Sequence, residues 1–358
     1  MSFRFSILAV ALTTALNAHA TEQDLEHITI KGDFRQQSLQ RVAGSVAVLS
    51  EQDLQRQSAQ HLDDALQQFA NVNFSAGASR GRFIQIRGIG ERSEFVDTIN
   101  PSVGILIDGI DYAGLGISSI AHPQQLEVFR GPEATRFGTN ALAGMVNMTS
   151  KAPSTLAEGK VSATVANYDS WQLSGYYSAP LTERLAYSLT LDQNKSDGFI
   201  DNAYLNRDDT SKTDEFTGRF KLHYAASEQL QLGLTAHLID QQNGYDAFSL
   251  DRNRVTLSDE PGQDILRSKA LAVNLDYQGL AAADIELQLS YLQADSDYGF
   301  DEDWSYKGIH PWEYSYYDHY LRSREQWTLD YRFVSKPQGQ LFGHTDWVLG
   351  IYASDRDL

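Results

Sequence analysis

The chain has 358 residues with 47 acidic and 29 basic side chains, which gives a formal net charge of −18. This acid excess argues against a nucleic-acid partner, because phosphate backbones bind clustered lysine and arginine. The sequence contains no cysteine, which excludes disulfides and thiolate metal sites. Tyrosine is abundant, with 18 residues, and it favours positions with one apolar and one wet end.

The first twenty residues have the pattern of a secretory signal peptide. Arg4 supplies a positive charge, residues 7–16 form a short apolar run, and Ala18, His19 and Ala20 fit an A-x-A cleavage site. The run is too short to span a bilayer as an anchor. We therefore expect cleavage near Ala20 and an exported mature chain. The alternative is a buried N-terminal helix of a cytosolic protein.

Residues 21–39 are predicted to be a binding segment followed by a linker. A short alternating pentapeptide lies close behind the cleavage site: His27, Ile28, Thr29, Ile30 and Lys31. An extended, exposed segment of this kind can add as a strand to the sheet of a partner protein. The alternative is a frayed terminus whose alternation is accidental.

Residues 40–153 combine short strand patterns with one helix pattern, which predicts a small mixed α/β domain. Strands are predicted near 45–49, 72–74, 83–87, 103–107, 125–129 and 142–149. Apolar residues recur at helical spacing from residue 50 to about residue 70. Asp108 and Gly109 carry a hairpin signal, and this interpretation is favoured over an acid/base pair or a cation site at Asp108 and Asp111.

Residues 154–358 repeat two-faced strands, about nine of them counted from Lys160. Short turns near 179–183 and 225–228 alternate with long loops around 196–212, 241–267 and 296–319. Short turns on one side and long loops on the other are typical of an antiparallel transmembrane β-barrel. A water-soluble β-sandwich is the alternative, but it has no reason to sort its connections in this way.

The ordered segments EHITIKG, IQIRGIG, VGILIDGIDY and QLEVFRGPEATRFGTNALAGMVNMTSKAP, followed by the strands, resemble a TonB-dependent outer-membrane receptor. The resemblance implies an N-terminal mixed α/β plug domain inside a barrel of about 22 antiparallel transmembrane β-strands. About nine strands would therefore form an incomplete barrel. The last residues, Arg356, Asp357 and Leu358, lack the aromatic end of the family's final strand, so we expect the N-terminal part of a receptor.

The resemblance also implies partners and a function. Residues 27–31 would be the TonB box, which binds TonB, itself energised by ExbB and ExbD. The barrel would contact outer-membrane lipid and require the barrel-assembly machinery. The expected cargo is a scarce nutrient, most often a ferric siderophore. Vitamin or oligosaccharide uptake, a passive structural or adhesive barrel, and a truncated fragment without function are the alternatives.

Two candidate site residues come from the resemblance, and the others come from the composition of the long loops. Arg87 and Arg130 correspond to plug arginines that pair with glutamates on the inner wall, and the glutamates are expected in later strands. The alternative is that both are solvated in the lumen. Candidate ligand contacts on the long loops are Trp304, Tyr306, Trp312, Tyr314, Tyr316, Arg252 and Arg254. Aromatic faces stack on ring ligands, whereas an interfacial aromatic girdle is the alternative.

Catalytic chemistry has no support in the sequence. Gly88 and Gly90 are not followed by an apolar helix, and residues 138–144 lack the Lys-Ser/Thr of a phosphate loop. The nine histidines lack the helical pairing that zinc enzymes use. We therefore expect a non-enzyme that binds neither a cofactor nor a metal.

Overall fold

The computed structural model describes residues 29–30, 34–35, 37–57, 59, 61–75, 78–91, 101–115, 119–133, 141–312 and 314–358. The predicted signal peptide, His27, Ile28 and Lys31 lie outside the described residues. The described part contains a small α/β domain, the plug, and a nine-stranded antiparallel sheet, the wall. This architecture confirms the predicted plug followed by an incomplete antiparallel barrel.

The plug is built from short strands around one mixed sheet. Its described elements are β1 (Thr29–Ile30), β2 (Gln37–Ser38), β3 (Val46–Ser50), α1 (Glu51–Arg56), α2 (Leu62–Leu66), β4 (Val72–Ser75), β5 (Phe83–Ile86), β6 (Val103–Ile107), β7 (Ile110–Asp111), β8 (Pro123–Arg130) and β9 (Gly144–Ser150). The main sheet has the order β3-β8-β9-β6-β7, and two further pairs join β1 to β2 and β4 to β5. Alternating apolar side chains of β6, β8 and β9 fill the core, among them Ile105, Leu126 and Val146.

The single helix predicted over residues 50–70 is wrong, because the chain forms two short helices there. At the first helix start, the Asp53 N–H donates to Ser50 Oγ over 3.3 Å. At the second, the Asp63 N–H donates to His61 Nδ1 over 3.2 Å. Each cap satisfies an N–H group that a helix start leaves without a partner, so helix α2 begins anew after His61. No helix in the described ranges is long and apolar enough to cross a bilayer.

The wall follows the plug. Its elements are β10 (Glu158–Ala166), β11 (Ser170–Thr182), β12 (Leu185–Ser196), β13 (Asp201–Asn202), β14 (Thr213–Ala225), β15 (Leu230–Tyr245), β16 (Val255–Thr256), β17 (Gly262–Tyr277), β18 (Ala283–Asp301), β19 (Tyr317–Ser335) and β20 (Val348–Asp357). Nine of these strands pair antiparallel in chain order, whereas the short strands β13 and β16 form a separate parallel pair.

The connections of the wall fall on two sides. On the turn side lie residues 183–184, 226–229, 278–282 and 336–347, and on the loop side lie 167–169, 197–212, 246–261 and 302–316. Two of the long loops are shorter than predicted, because their flanking strands continue in register. Tyr245 pairs with Gly262, and Asp301 pairs with Tyr317.

The wall has the reverse polarity of a soluble sheet. Along β17, Ala270 and Ala272 are buried whereas Leu271 and Val273 are exposed. Across the wall the buried positions are largely polar, among them Ser188, Thr190, Asp192, Glu215, Thr217, Arg219, Thr235, His237, Asn243, Asp264 and Ser290. A soluble sandwich buries its apolar face, whereas a transmembrane barrel turns its apolar face to lipid. The burial pattern therefore favours a lipid-facing wall.

Candidate functional site: the plug–wall interface and the loop side

A plug loop at residues 78–82 brings two arginines against wall strands near the loop side. Arg80 binds Glu215 of β14 through two hydrogen bonds, Nε to Oε1 at 2.7 Å and Nη2 to Oε2 at 3.0 Å. Arg82 pairs with Asp264 of β17, which also accepts from Ser79 Oγ over 2.6 Å. Both wall carboxylates are buried, so each needs a cation to compensate for its lost hydration.

The β6–β7 hairpin makes a second contact with the wall through Asp108. Its carboxylate accepts from Lys221 Nζ over 2.8 Å and lies 3.1 Å from His237 Nε2. Ser150 donates its N–H and its hydroxyl to the same carboxylate, over 2.9 and 2.7 Å. Burial alone would raise the pKa of Asp108, but Lys221 and His237 hold this pKa well below its ordinary value. The group is therefore an ionised anchor at neutral pH.

Asp111 extends this contact to the last two wall strands. Its carboxylate accepts from Arg356 Nη2 over 2.9 Å and lies 3.6 Å from Arg324 Nη2. The Gln288 amide of β18 donates to the backbone carbonyl of Asp108 over 3.1 Å. The predicted hairpin is present, with φ of 51° at Asp108 and 78° at Gly109. In this contact the plug supplies the acids and the wall supplies the cations. In the Arg80–Glu215 contact the plug supplies the cation and the wall supplies the acid.

Arg87 and Arg130 take no part in these contacts. Arg87 has φ of 55° and its N–H donates to the Asn71 carbonyl over 2.8 Å. Arg130 Nη1 donates to the Ala70 carbonyl over 3.1 Å, within the plug. In the part of the chain that the structure describes, neither side chain has a wall carboxylate as partner, so their pairing with glutamates stays a prediction.

Two of the predicted ligand-contact aromatics hold the long loops together. Trp304 stacks on Phe248, with ring centroids 4.9 Å apart and an interplanar angle of 3°. Tyr306 stacks on Tyr204 at 4.3 Å and 12°. The stacked partners come from the two other long loops, so one face of each predicted aromatic is already covered.

The other predicted ligand contacts are dispersed. Trp312 is 86% exposed, and Tyr314 and Tyr316 are exposed beside it. Arg254 Nη1 donates to the Tyr168 hydroxyl over 2.9 Å, whereas Arg252 lies on an exposed turn with φ of 54°. All lie on the loop side, but they do not line one common cavity.

A cavity of about 320 Å³ lies instead between the plug and strands β18 to β20. Four arginines line it, together with apolar residues of the plug and of β19: Arg82, Arg322, Arg324, Arg356, Phe83, Val103, Ile105, Leu115 and Leu321. Apolar walls with a few charged groups are typical of small-ligand sites. No group of three or more metal-binding side chains occurs among the described residues.

Comparison with known proteins agrees with this arrangement. The family model of the TonB-dependent Receptor Plug Domain matches residues 38–145. The pesticin receptor of Yersinia enterocolitica is 26% identical over 226 residues, which is 62% of this chain and 33% of that protein. The vitamin B12 transporter BtuB of Vibrio cholerae is 24% identical over 206 residues, 54% of this chain and 33% of that protein.

Solved receptors share the fold. The ferric yersiniabactin uptake receptor FyuA from Yersinia pestis superposes with a TM-score of 0.73 at 21% identity, covering 87% of this chain and 48% of that chain. FpvA of P. aeruginosa bound to heterologous pyoverdines gives a TM-score of 0.72 at 16% identity, with 92% and 44% covered. The chain thus spans about half of these structures and a third of the curated relatives. Residues 38–145 are therefore a TonB-dependent receptor plug domain, and the described chain shares the fold of the solved receptors FyuA and FpvA.

Proposed function

We propose that this chain serves TonB-dependent active import of a ferric siderophore across the outer membrane. The observation that carries the proposal is a folded plug, ion-paired through Arg80 and Asp108, against a wall whose exposed face is apolar. A channel for passive diffusion has no need of a plug held in its lumen. The relatives are transport receptors by name, which supports a role without enzymatic chemistry.

The energy for import is proposed to enter through residues 27–31. Thr29 and Ile30, the described members of this segment, have extended backbone and pair with Ser38 and Gln37. Strand addition to TonB needs such an extended backbone, with ExbB and ExbD supplying the energy behind TonB. We also propose that a signal peptide directs export and is cleaved near Ala20, and that the mature chain then assembles in the outer membrane.

The cargo is proposed to meet the plug and wall at the arginine-lined cavity. Arg322, Arg324 and Arg356 line this cavity beside apolar residues, a combination that suits an anionic chelate with apolar parts. The exposed rings of Trp312, Tyr314 and Tyr316 on the loop side are proposed as first contacts. Solved neighbours named as yersiniabactin, pyoverdine and ferric-catecholate receptors support a siderophore.

Vitamin uptake is the second candidate. It is favoured by the likeness to a vitamin B12 transporter and by the aromatic residues of the loop side, whose faces stack on heterocyclic rings. Binding assays with single purified siderophores and with cobalamin decide between the two cargoes.

The proposal is tested by iron-limited growth of a receptor-deficient strain that carries the full-length receptor gene. We expect growth on one siderophore, lost in an Ile28→Pro variant that still binds the ferric siderophore, because proline removes the N–H needed for strand pairing. The receptor should fractionate with the outer membrane. Undiminished iron uptake by the Ile28→Pro variant would reject the TonB-box assignment.

A further inference from the structure

The side chain of Ile30, in the strand proposed to bind TonB, is not exposed in this structure. Ile30 is 0% exposed and packs against Phe129, Ala141 and Met145 of the plug. Residues 27–31 were expected to be exposed. Ile30 is the one residue among them whose side chain the structure describes, and for Ile30 this expectation is wrong. Ile30 is apolar and lies beside an apolar surface of the plug, so burial of its side chain lowers the free energy of the docked strand.

The hairpin that carries this strand also reaches the wall. Between β1 and β2, Arg35 Nη1 donates to the Ser335 carbonyl over 2.8 Å and its Nη2 donates to Ser335 Oγ over 2.6 Å. Nη2 also lies 3.4 Å from the Trp347 carbonyl. Ser335 and Trp347 face each other where the β19–β20 connection begins and ends, and the Ser335 N–H donates to the Trp347 carbonyl over 2.9 Å. We call this pair the neck of the β19–β20 hairpin.

A second residue of the hairpin touches the same wall strand. The guanidinium of Arg332 lies 4.6 Å from the centroid of the Phe34 ring, within the range of a cation–π contact. Asp346 adds a carboxylate 3.8 Å from Arg35 Nη2. Phe34 and Arg35 therefore join a segment near the start of the described chain to a hairpin about three hundred residues later.

We propose that Arg35 is a positioning residue that keeps the TonB-binding strand docked on the plug by fixing its hairpin to the neck of the β19–β20 hairpin. The proposal rests on the proposed function for its biological meaning. Undocking of Ile30 then requires contacts with the wall to break as well as contacts with the plug. The net contribution of one hydrogen bond, about 1 kcal/mol, corresponds to roughly a fivefold change in a population, and Arg35 donates at least two, so loss of its side chain should raise the undocked population at least roughly fivefold.

The first test measures undocking directly in the full-length receptor in outer-membrane vesicles. These 358 residues contain no cysteine, so an Ile30→Cys substitution gives one labelling site for a thiol reagent once any cysteine in the rest of the receptor is replaced by serine. Adding Arg35→Ala should speed labelling at least roughly fivefold. The control is Arg56→Ala, whose side chain is 74% exposed on α1, and it should leave the rate unchanged. Amide hydrogen exchange of residues 29–38 in receptors without the reporter should give the same ranking. Equal rates in both assays would overturn the proposal.

A second test separates this proposal from the assignment of the TonB box. The ligand-free Arg35→Ala receptor should bind the isolated periplasmic domain of TonB more tightly than the wild type by a similar factor. Weaker binding would mean that Arg35 contacts TonB itself, and it would overturn the positioning role. If an Ile28→Pro receptor still binds TonB, the assignment of the TonB box fails, whereas faster labelling of the Arg35→Ala receptor still upholds the docking contact.

Discussion

Glu215 of the wall binds the plug through a buried ion pair with Arg80. It is 2% exposed and its two oxygens bind Arg80. Arg80→Ala would leave this carboxylate buried without its cation, at a cost of about 3 to 5 kcal/mol. We therefore expect a lower urea midpoint for plug unfolding in the purified receptor. The control is Arg207→Ala, whose partner Asp209 lies at the same 2.7 Å but is exposed, and exposed pairs contribute at most about 1 kcal/mol. Similar losses in both variants would contradict this explanation.

His122 predicts a pH dependence. Burial first, and then Lys160, lower its pKa to about 4, and its Nε2 has no hydrogen-bond partner among the described residues. The unfolded chain takes up a proton near pH 6.5, so stability is full above that pH and falls as the pH drops towards 4. The expected loss between about pH 7 and pH 5 is about 2 kcal/mol.

Replacement of His122 by asparagine should remove this loss. Asparagine tolerates the left-handed backbone that His122 has, with φ of 48°. Urea midpoints of both proteins at the two pH values provide the measurement. A variant with the same pH dependence as the wild type would show that another group titrates.

At the scale of single residues, the contacts that the structure shows between plug and wall were not predicted from the sequence. The family resemblance implied that Arg87 and Arg130 pair with glutamates of later strands, which stays a prediction, whereas the described contacts use Arg80 and Arg82. Both pairs join residues more than a hundred positions apart, so spacing carries no signal. The signal that was available is an acid, Glu215 or Asp264, on the face of each strand opposite its exposed apolar residues.

At the scale of elements, the β6–β7 hairpin makes a tight turn at Asp108, and the carboxylate of this residue is ion-paired with Lys221 of the wall. Asp108→Asn removes the charge that Lys221 Nζ contacts, and Lys221→Met removes the cation. Because the two atoms lie 2.8 Å apart and are mostly buried, the two changes should not be additive. We expect a coupling energy of about 1 to 3 kcal/mol in a double-mutant cycle on the urea midpoint. Additive effects would mean that the hairpin is held by other contacts.

Local signals predicted the elements well where they were strong. The positive φ values at Asp108 and Gly109 match the hairpin that their residue types indicate. The division into two helices differs from the prediction, because the caps at Ser50 and His61 override an apolar spacing that continues through both helices. The lengths of β18 and β19 were underestimated, since their ends are polar and aromatic and were predicted to be loop.

At the scale of the whole molecule, the alternation that predicted strands also predicted which face is apolar, but not where that face points. The structure buries the polar face against the plug and exposes the apolar one. A sequence pattern with period two is the same for both orientations, so the prediction of a barrel rested on the alternation of short turns and long loops and on the family resemblance, and the plug packed against the polar face supports it.

The most direct test of this account is the environment of alternate residues along β17 in the full-length receptor in lipid vesicles. Single-cysteine variants at Ala270, Leu271, Ala272 and Val273 can carry a spin label whose contact with oxygen in the lipid is measured. These 358 residues have no cysteine, and any cysteine in the rest of the receptor is first replaced by serine. We expect high lipid contact at Leu271 and Val273 and low contact at Ala270 and Ala272. Water contact at Leu271 and Val273 would contradict the lipid-facing wall, and with it the proposed importer.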